Sequence, residues 1–189
     1  MPELRELLIG DMQDLLHAEH QLLKALPKMA KAAHEPKLKQ AFEKHLEETQ
    51  GQVQRLEQAF ELLGAKAKAK VCKAMQGLVE ESQEQIAEGK QREEPIADLA
   101  LAGAAQKVEH YEIAGYGTAG AFAEKLGLTK VAKLLRETLA EEEKTDKLLT
   151  QLCMPILDEA TQESAMNAEE EEASELSHKT TGRGKSASS

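Results

Sequence analysis

Tryptophan is absent, and aromatic residues make up only 3% of the 189-residue chain. Strand-favouring residues are also thin and never alternate over a useful stretch, which excludes a sheet-based fold. The two cysteines, Cys72 and Cys153, lie far apart and form no CxxC pair. That excludes a disulfide framework and predicts reduced thiols, as in a cytoplasm. No apolar run approaches the roughly 20 residues that span a bilayer. The opening MPELRELL carries acidic residues and no apolar signal core, so the sequence predicts a cytoplasmic protein with no membrane partner. A basic surplus is missing too: the net charge is −10. Phosphate backbones demand the opposite sign, so nucleic acid is excluded as the main ligand. An acidic surface is compatible with attracting cations, although solubility alone explains most acidic proteins.

What is present is a helix-forming chain. Ala, Leu, Glu, Lys and Gln dominate, with 41% hydrophobic and 31% charged residues, a composition that predicts an all-α protein with an apolar core and a solvated surface. A first helix is expected from Pro2 to about Ala33, with a stripe through Leu4, Leu8, Met12, Leu15, Leu22, Leu26 and Met29 and a kink at Pro27. His34-Glu35-Pro36 reads as a short turn. A second helix follows from Pro36 to Leu63, with Gly64 placed for a left-handed cap. Residues 64–95 read as a linker carrying one short helix. Pro95 suits the first turn of a third helix that ends at Gly127, and Thr129 suits the cap of a fourth that stops around Pro155–Ala160. Two short turns and one long link predict two helical hairpins joined by a crossover, the ferritin-like four-helix bundle, over residues 1–160. Residues 161–189 carry Glu169-Glu170-Glu171-Glu172 and few apolar side chains, and are expected to be a disordered polar tail.

The apolar stripes are interrupted, and the interruptions carry the chemistry. Glu19 falls four residues after Leu15 and three before Leu22, which points it inward. His45 lies three after Phe42, and Glu48 three after His45; Glu109 and Glu112 are three apart; Glu142 lies three after Leu139, with Asp146 one turn on. Each falls near the middle of its helix, so packing brings them to a similar height. Taken singly these residues have bland explanations. Glu48 or Asp146 at a stripe edge is ordinarily solvated, a lone His45 is ordinarily a hydrogen-bonded core group, and His17, His20 and His34 read as surface residues. Taken together, a carboxylate cluster in a dry core needs protons, basic partners or cations. No Lys or Arg interrupts these stripes. Carboxylates with an imidazole form the ligand set of iron or manganese. Tyr111 and Tyr116 are candidate hydrogen-bond donors near the site, and His45 or His110 a candidate proton relay.

The segments AEHQLLKALPKMAKAA at 18–33, FEKHLEETQGQVQRLEQAFELLG at 42–64, VCKAMQGLVEE at 71–81, AAQKVEHYEIAGYGT at 104–118 and LAEEEKTDKLL at 139–149 resemble the bacterial ferritin-like stress proteins of the YciE/YciF type, over about residues 3–155. That family is similar in fold to rubrerythrins and manganese catalases. The resemblance implies a homodimer and a centre of two Fe or Mn ions. It makes Glu19 the carboxylate of the first helix, His45 and Glu48 the pair on the second, Glu109 and Glu112 the pair on the third, and Glu142 with Asp146 the set on the fourth. The chain departs from the usual Glu-x-x-His pattern: the second helix reads His-x-x-Glu, no His follows Glu142, and Leu16 stands where the family often has Tyr. The expected activity is catalase- or peroxidase-like handling of a small oxidant such as peroxide. The alternative is a non-catalytic stress-response or iron-binding bundle. A storage cage is disfavoured, because the tail offers no apolar fifth helix.

Overall fold

The computed structural model describes residues 1–181. The described residues form five helices: α1 (Pro2–Ala32), α2 (Pro36–Leu63), α3 (Lys73–Gly89), α4 (Glu94–Lys125) and α5 (Thr129–Thr181). No strand occurs among the described residues. At the two ends of α2 the local signals act where the sequence places them. Pro36 opens α2, and the Glu35 side chain accepts a hydrogen bond from the Lys37 N–H. Gly64 ends that helix at φ 62, and its N–H bonds back to the Glu61 and Phe60 carbonyls. Only a residue without Cβ adopts this left-handed conformation readily.

The α1–α2 turn is tied to the start of α4. The buried Asp98 carboxylate accepts from the His34 N–H at 2.9 Å and the Glu35 N–H at 2.6 Å. Helix α1 packs on α2 and α4, and α5 packs on the same two. Paired contacts fix the directions: Arg5 bonds the Leu63 carbonyl, Tyr116 bonds Glu19, Arg55 bonds Thr138, and Gln106 bonds Asp146. With the His34–Asp98 contact, these place α1–α2, α1–α4, α2–α5 and α4–α5 antiparallel, as in a ferritin-like bundle whose long link traverses its length. Helix α3, within that link, lies against α1 and α4.

One boundary differs from the sequence expectation. Helix α5 does not stop around Pro155–Ala160; it passes through Pro155 and continues to Thr181, so it includes residues 161–181 of the expected polar tail. Residues 182–189, the rest of the expected tail, lie outside the described residues. Packing carries the helix past the proline as far as Ala160: Ile156 and Ala160 are buried. Burying an Ile side chain contributes about 1.5–3 kcal/mol, comparable to the ~3 kcal/mol cost of Pro inside a helix.

The core is split in two. One apolar cluster holds Leu8, Met12, Leu15, Leu56, Phe60, Tyr116 and Leu135. The other holds Leu22, Leu26, Met29, Phe42, Leu101, Val108 and Leu149. Between them, on all four bundle helices, the buried residues are polar: Glu19; His45, Thr49 and Gln52; Glu109 and Glu112; Thr138, Glu142 and Thr145.

Candidate metal centre

The polar layer follows from helical spacing. On each helix the acidic or imidazole residue sits three or four positions from an apolar core residue, so it shares the inward face. Glu19, Glu112 and Glu142 are fully buried, and Glu109 and His45 nearly so. His45 Nε2 lies 3.3 Å from Glu109 Oε1 and 3.6 Å from Glu142 Oε2. Its Nδ1 lies 3.4 Å from Thr145 Oγ1. One ligand atom each from His45, Glu112 and Glu142 falls within 4.8 Å of the others.

Of the seven predicted site residues, five converge here: Glu19, His45, Glu109, Glu112 and Glu142. The other two, Glu48 and Asp146, stand at the rim, each 21% exposed. Glu48 pairs with Lys44 at 3.3 Å, and its Oε2 lies 3.8 Å from His45 Nδ1. Asp146 pairs with His110 at 3.3 Å and accepts from Gln106 Nε2 at 3.1 Å.

The electrostatics differ between layer and rim. Burial, followed by the Glu142 charge, pushes Glu19 and Glu109 well above the usual carboxylate range. Burial, then Glu19 and Glu142, does the same to Glu112. At the rim, His45 and Lys44 hold Glu48 below that range despite its partial burial.

The layer is also short of hydrogen-bond partners. Glu19 Oε2, His45 Nε2, Gln52 Oε1, Glu109 Oε2, both oxygens of Glu112 and Glu142 Oε2 have none, although all are buried. Buried polar atoms in folded proteins are nearly always paired. Here they sit on side chains that face one another, and carboxylate oxygens with an imidazole nitrogen suit a divalent cation of the iron or manganese type. The donor set therefore fits the ions that the sequence suggests.

Three residues complete the surroundings. Tyr116, anticipated as a donor, gives its hydroxyl hydrogen to Glu19 Oε1. Gln52 lies on the buried face of α2, and nothing in its spacing assigns it a role; its Nε2 donates to Glu142 Oε1 and, at 3.2 Å, to Glu141 Oε2. Arg55 lies off the stripe, 17% exposed, and donates to Glu141 and to Thr138 Oγ1. Its charge reaches Glu19 and partly opposes that residue's upward shift. His17 is not a plain surface group. Its Nδ1 accepts from the Cys72 N–H at 3.2 Å and helps pin the crossover to α1. Tyr111 donates to Asp14, and its hydroxyl lies 2.9 Å from Cys72 Sγ, on the crossover side of the bundle rather than among the acids.

Fold and layer together define a ferritin-like helical-bundle protein with a buried carboxylate–imidazole cluster. The chain belongs to the family described as the domain of unknown function (DUF892), which matches residues 3–166. It is 48% identical over 155 residues to protein YciF of Escherichia coli strain K12, covering 82% of this chain and 92% of that protein. The crystal structure of that E. coli stress protein superposes with a TM-score of 0.79 at 46% identity, covering 84% of this chain and 99% of the other. YcfI from Rhodopseudomonas palustris superposes at 0.74 with 41% identity, covering 78% and 92%. A Xanthomonas campestris protein at 23% identity superposes at 0.69, covering 86% and 99%, and shares the fold. Among the described residues no helix is long and apolar enough to cross a membrane.

Proposed function

We propose that this protein is a di-metal carboxylate protein that handles peroxide under oxidative stress, with two Fe or Mn ions held in the polar layer. The observation that carries the reading is the set of six unpartnered, buried oxygen and nitrogen atoms on Glu19, His45, Glu109, Glu112 and Glu142. Four buried carboxylates, Glu19, Glu109, Glu112 and Glu142, bring up to four negative charges with no Lys or Arg among them. Two divalent cations would balance that charge. Likeness to a protein described as a stress protein supports the physiological setting.

Glu109, Glu112, Glu142 and His45 would supply ligand atoms, with Glu19 closing the α1 side. When bound, such ions supply the ability to exchange two electrons with peroxide. The residues of the chain do the rest. The two apolar clusters above and below the layer exclude water, which strengthens electrostatic interactions inside. Tyr116 and Thr145 orient Glu19 and His45, as outer partners of ligands do. Glu48 and Asp146, half-buried at the rim, present negative charge where a cation would enter. A homodimer, a cytoplasmic location and a small oxidant such as peroxide, with no nucleic-acid or membrane partner, belong to the same reading.

A second reading is a non-catalytic stress-response bundle whose metal is structural. The layer spans all four helices, so a cation there would tie them together whether or not it turns over. Elemental analysis of protein purified without added metal, followed by a peroxide-consumption assay, tests both. Bound Fe or Mn with peroxide turnover supports the enzyme, and bound metal without turnover supports the structural role. Metal content unchanged in Glu109→Ala combined with Glu142→Ala would refute the ligand assignment.

A further inference from the structure

We infer that Gln52 is a positioning residue that fixes which oxygen of Glu142 is offered to a bound cation. The inference rests on the metal-centre reading above. Gln52 is fully buried on α2, facing α5. Its amide nitrogen donates to Glu142 Oε1 and to Glu141 Oε2. Both acceptors are carboxylates, which only accept when ionised, so the amide can face them only through its nitrogen. Turning it over would aim a carbonyl oxygen at two negative charges. Its Oε1 is thereby sent the other way and has no partner.

The second acceptor is itself anchored. Arg55 Nη2 donates to Glu141 Oε2, while Arg55 Nε donates to Thr138 Oγ1 at 3.0 Å. A chain of charge-assisted hydrogen bonds thus runs from the half-buried guanidinium through Glu141 and Gln52 to Glu142, and such bonds are the strong ones. At its inner end Oε1 of Glu142 is occupied. Oε2 is left unpartnered, 3.6 Å from His45 Nε2. Rotating the carboxylate to present both oxygens would break the hydrogen bond from the Gln52 amide, so Glu142 offers a single atom. A neutral amide does this without altering the charge of the layer. A Lys or Arg at the same place would neutralise Glu142 and compete with the cation.

The test uses the full chain and Mn(II) alone. Gln52→Leu and Gln52→Met keep similar volume but remove both donors. Mn(II) affinity, measured by competition with a chelator, is expected to fall about 10–100-fold, as when an outer partner of a ligand is lost. The Mn(II) electron paramagnetic resonance spectrum is expected to change shape as Glu142 rotates. Leu56→Ala, which loosens the apolar core without touching the chain of bonds, should leave that spectrum as in the wild type. Affinity and spectrum unchanged in folded Gln52 variants would overturn the inference while leaving the metal centre standing. Wild-type protein that binds no Mn(II) would overturn both. A measurement on wild-type protein alone adds an independent arm. With 15N-labelled glutamine and Zn(II) as a diamagnetic probe, the Gln52 side-chain amide resonance should shift on binding, and an unmoved resonance would also overturn the inference.

Discussion

The hydroxyl of Tyr116 on α4 donates a hydrogen bond to Glu19 on α1, at the seam between the polar layer and one apolar cluster. The pair joins a fully buried phenol to a fully buried acid. Each satisfies an atom that the other would otherwise strand. Removing the donor leaves Glu19 with no partner on either oxygen, since Oε2 has none already. Tyr116→Phe should therefore destabilise the metal-free protein by about 1–3 kcal/mol, the cost of an orphaned buried polar group. Urea denaturation monitored by circular dichroism checks this.

The three acids with raised pKa values set a pH dependence. Glu19, Glu109 and Glu112 hold their protons more tightly in the folded chain than in the unfolded chain. The folded state therefore binds more protons once the pH exceeds the ordinary Glu value of about 4.3, and stability falls with rising pH. Their contribution is fully present below that value and is lost as pH climbs through the raised range. Metal-free protein should melt at a lower temperature at pH 8 than at pH 5.5. Glu112→Gln, which mimics the protonated acid, should flatten that slope, as read by calorimetry across the pH range.

Cations should reverse the trend. Ligands must be deprotonated to bind metal, so affinity rises with pH where proton competition fades. Mn(II) at 100 times its dissociation constant should stabilise the folded chain by about 2.7 kcal/mol, equivalent to roughly 5–10 °C in a chain of this size. Glu109→Gln combined with Glu142→Gln should abolish the shift. A melting series with and without a chelator distinguishes the cases.

Gly115 marks a close approach of α4 to α1. A Cβ placed there would lie 2.7 Å from Leu15 Cδ2, and Leu15 is buried in the core. Gly→Ala inside a helix ordinarily stabilises by about 0.5–1 kcal/mol. Overpacking a tight core costs about 1–3 kcal/mol, so Gly115→Ala should be destabilising on balance. Leu15→Val in the same chain should recover part of the loss, and a double-mutant cycle of unfolding free energies measures that coupling.

Much of this architecture was legible because helical periodicity and turn residues act locally. Pro36, Gly64 and Thr129 stand where the chain turns. The long link between Leu63 and Glu94 dictated the crossover. The inward acids were visible as breaks in apolar stripes, because a break three or four residues from a core Leu lies on or beside the buried face. Residues at the stripe edge were harder. Glu48 and Asp146 have the spacing of ligands yet stop at the rim, since a fraction of a turn separates inside from half-buried. Gln52 and Arg55 form their network with Glu141, 86–89 positions away, and no local pattern encodes a partner at that distance. The run of α5 past Pro155 was hidden for a related reason: the burial of Ile156 and Ala160 depends on neighbours brought in by the fold.

The antiparallel hairpins have a consequence for how the protein matures. The hairpin of α1 and α2 contributes Glu19, His45 and Gln52, and that of α4 and α5 contributes Glu109, Glu112 and Glu142. A nascent chain with only its first half out of the ribosome carries one acid, one imidazole and one amide of the set. Most of the charge arrives with α4 and α5, so in the proposed metal centre capture of an ion would wait until α5 has emerged. Cation supply at that moment, rather than during the first hairpin's emergence, would govern whether a newly made copy closes around a filled or an empty middle.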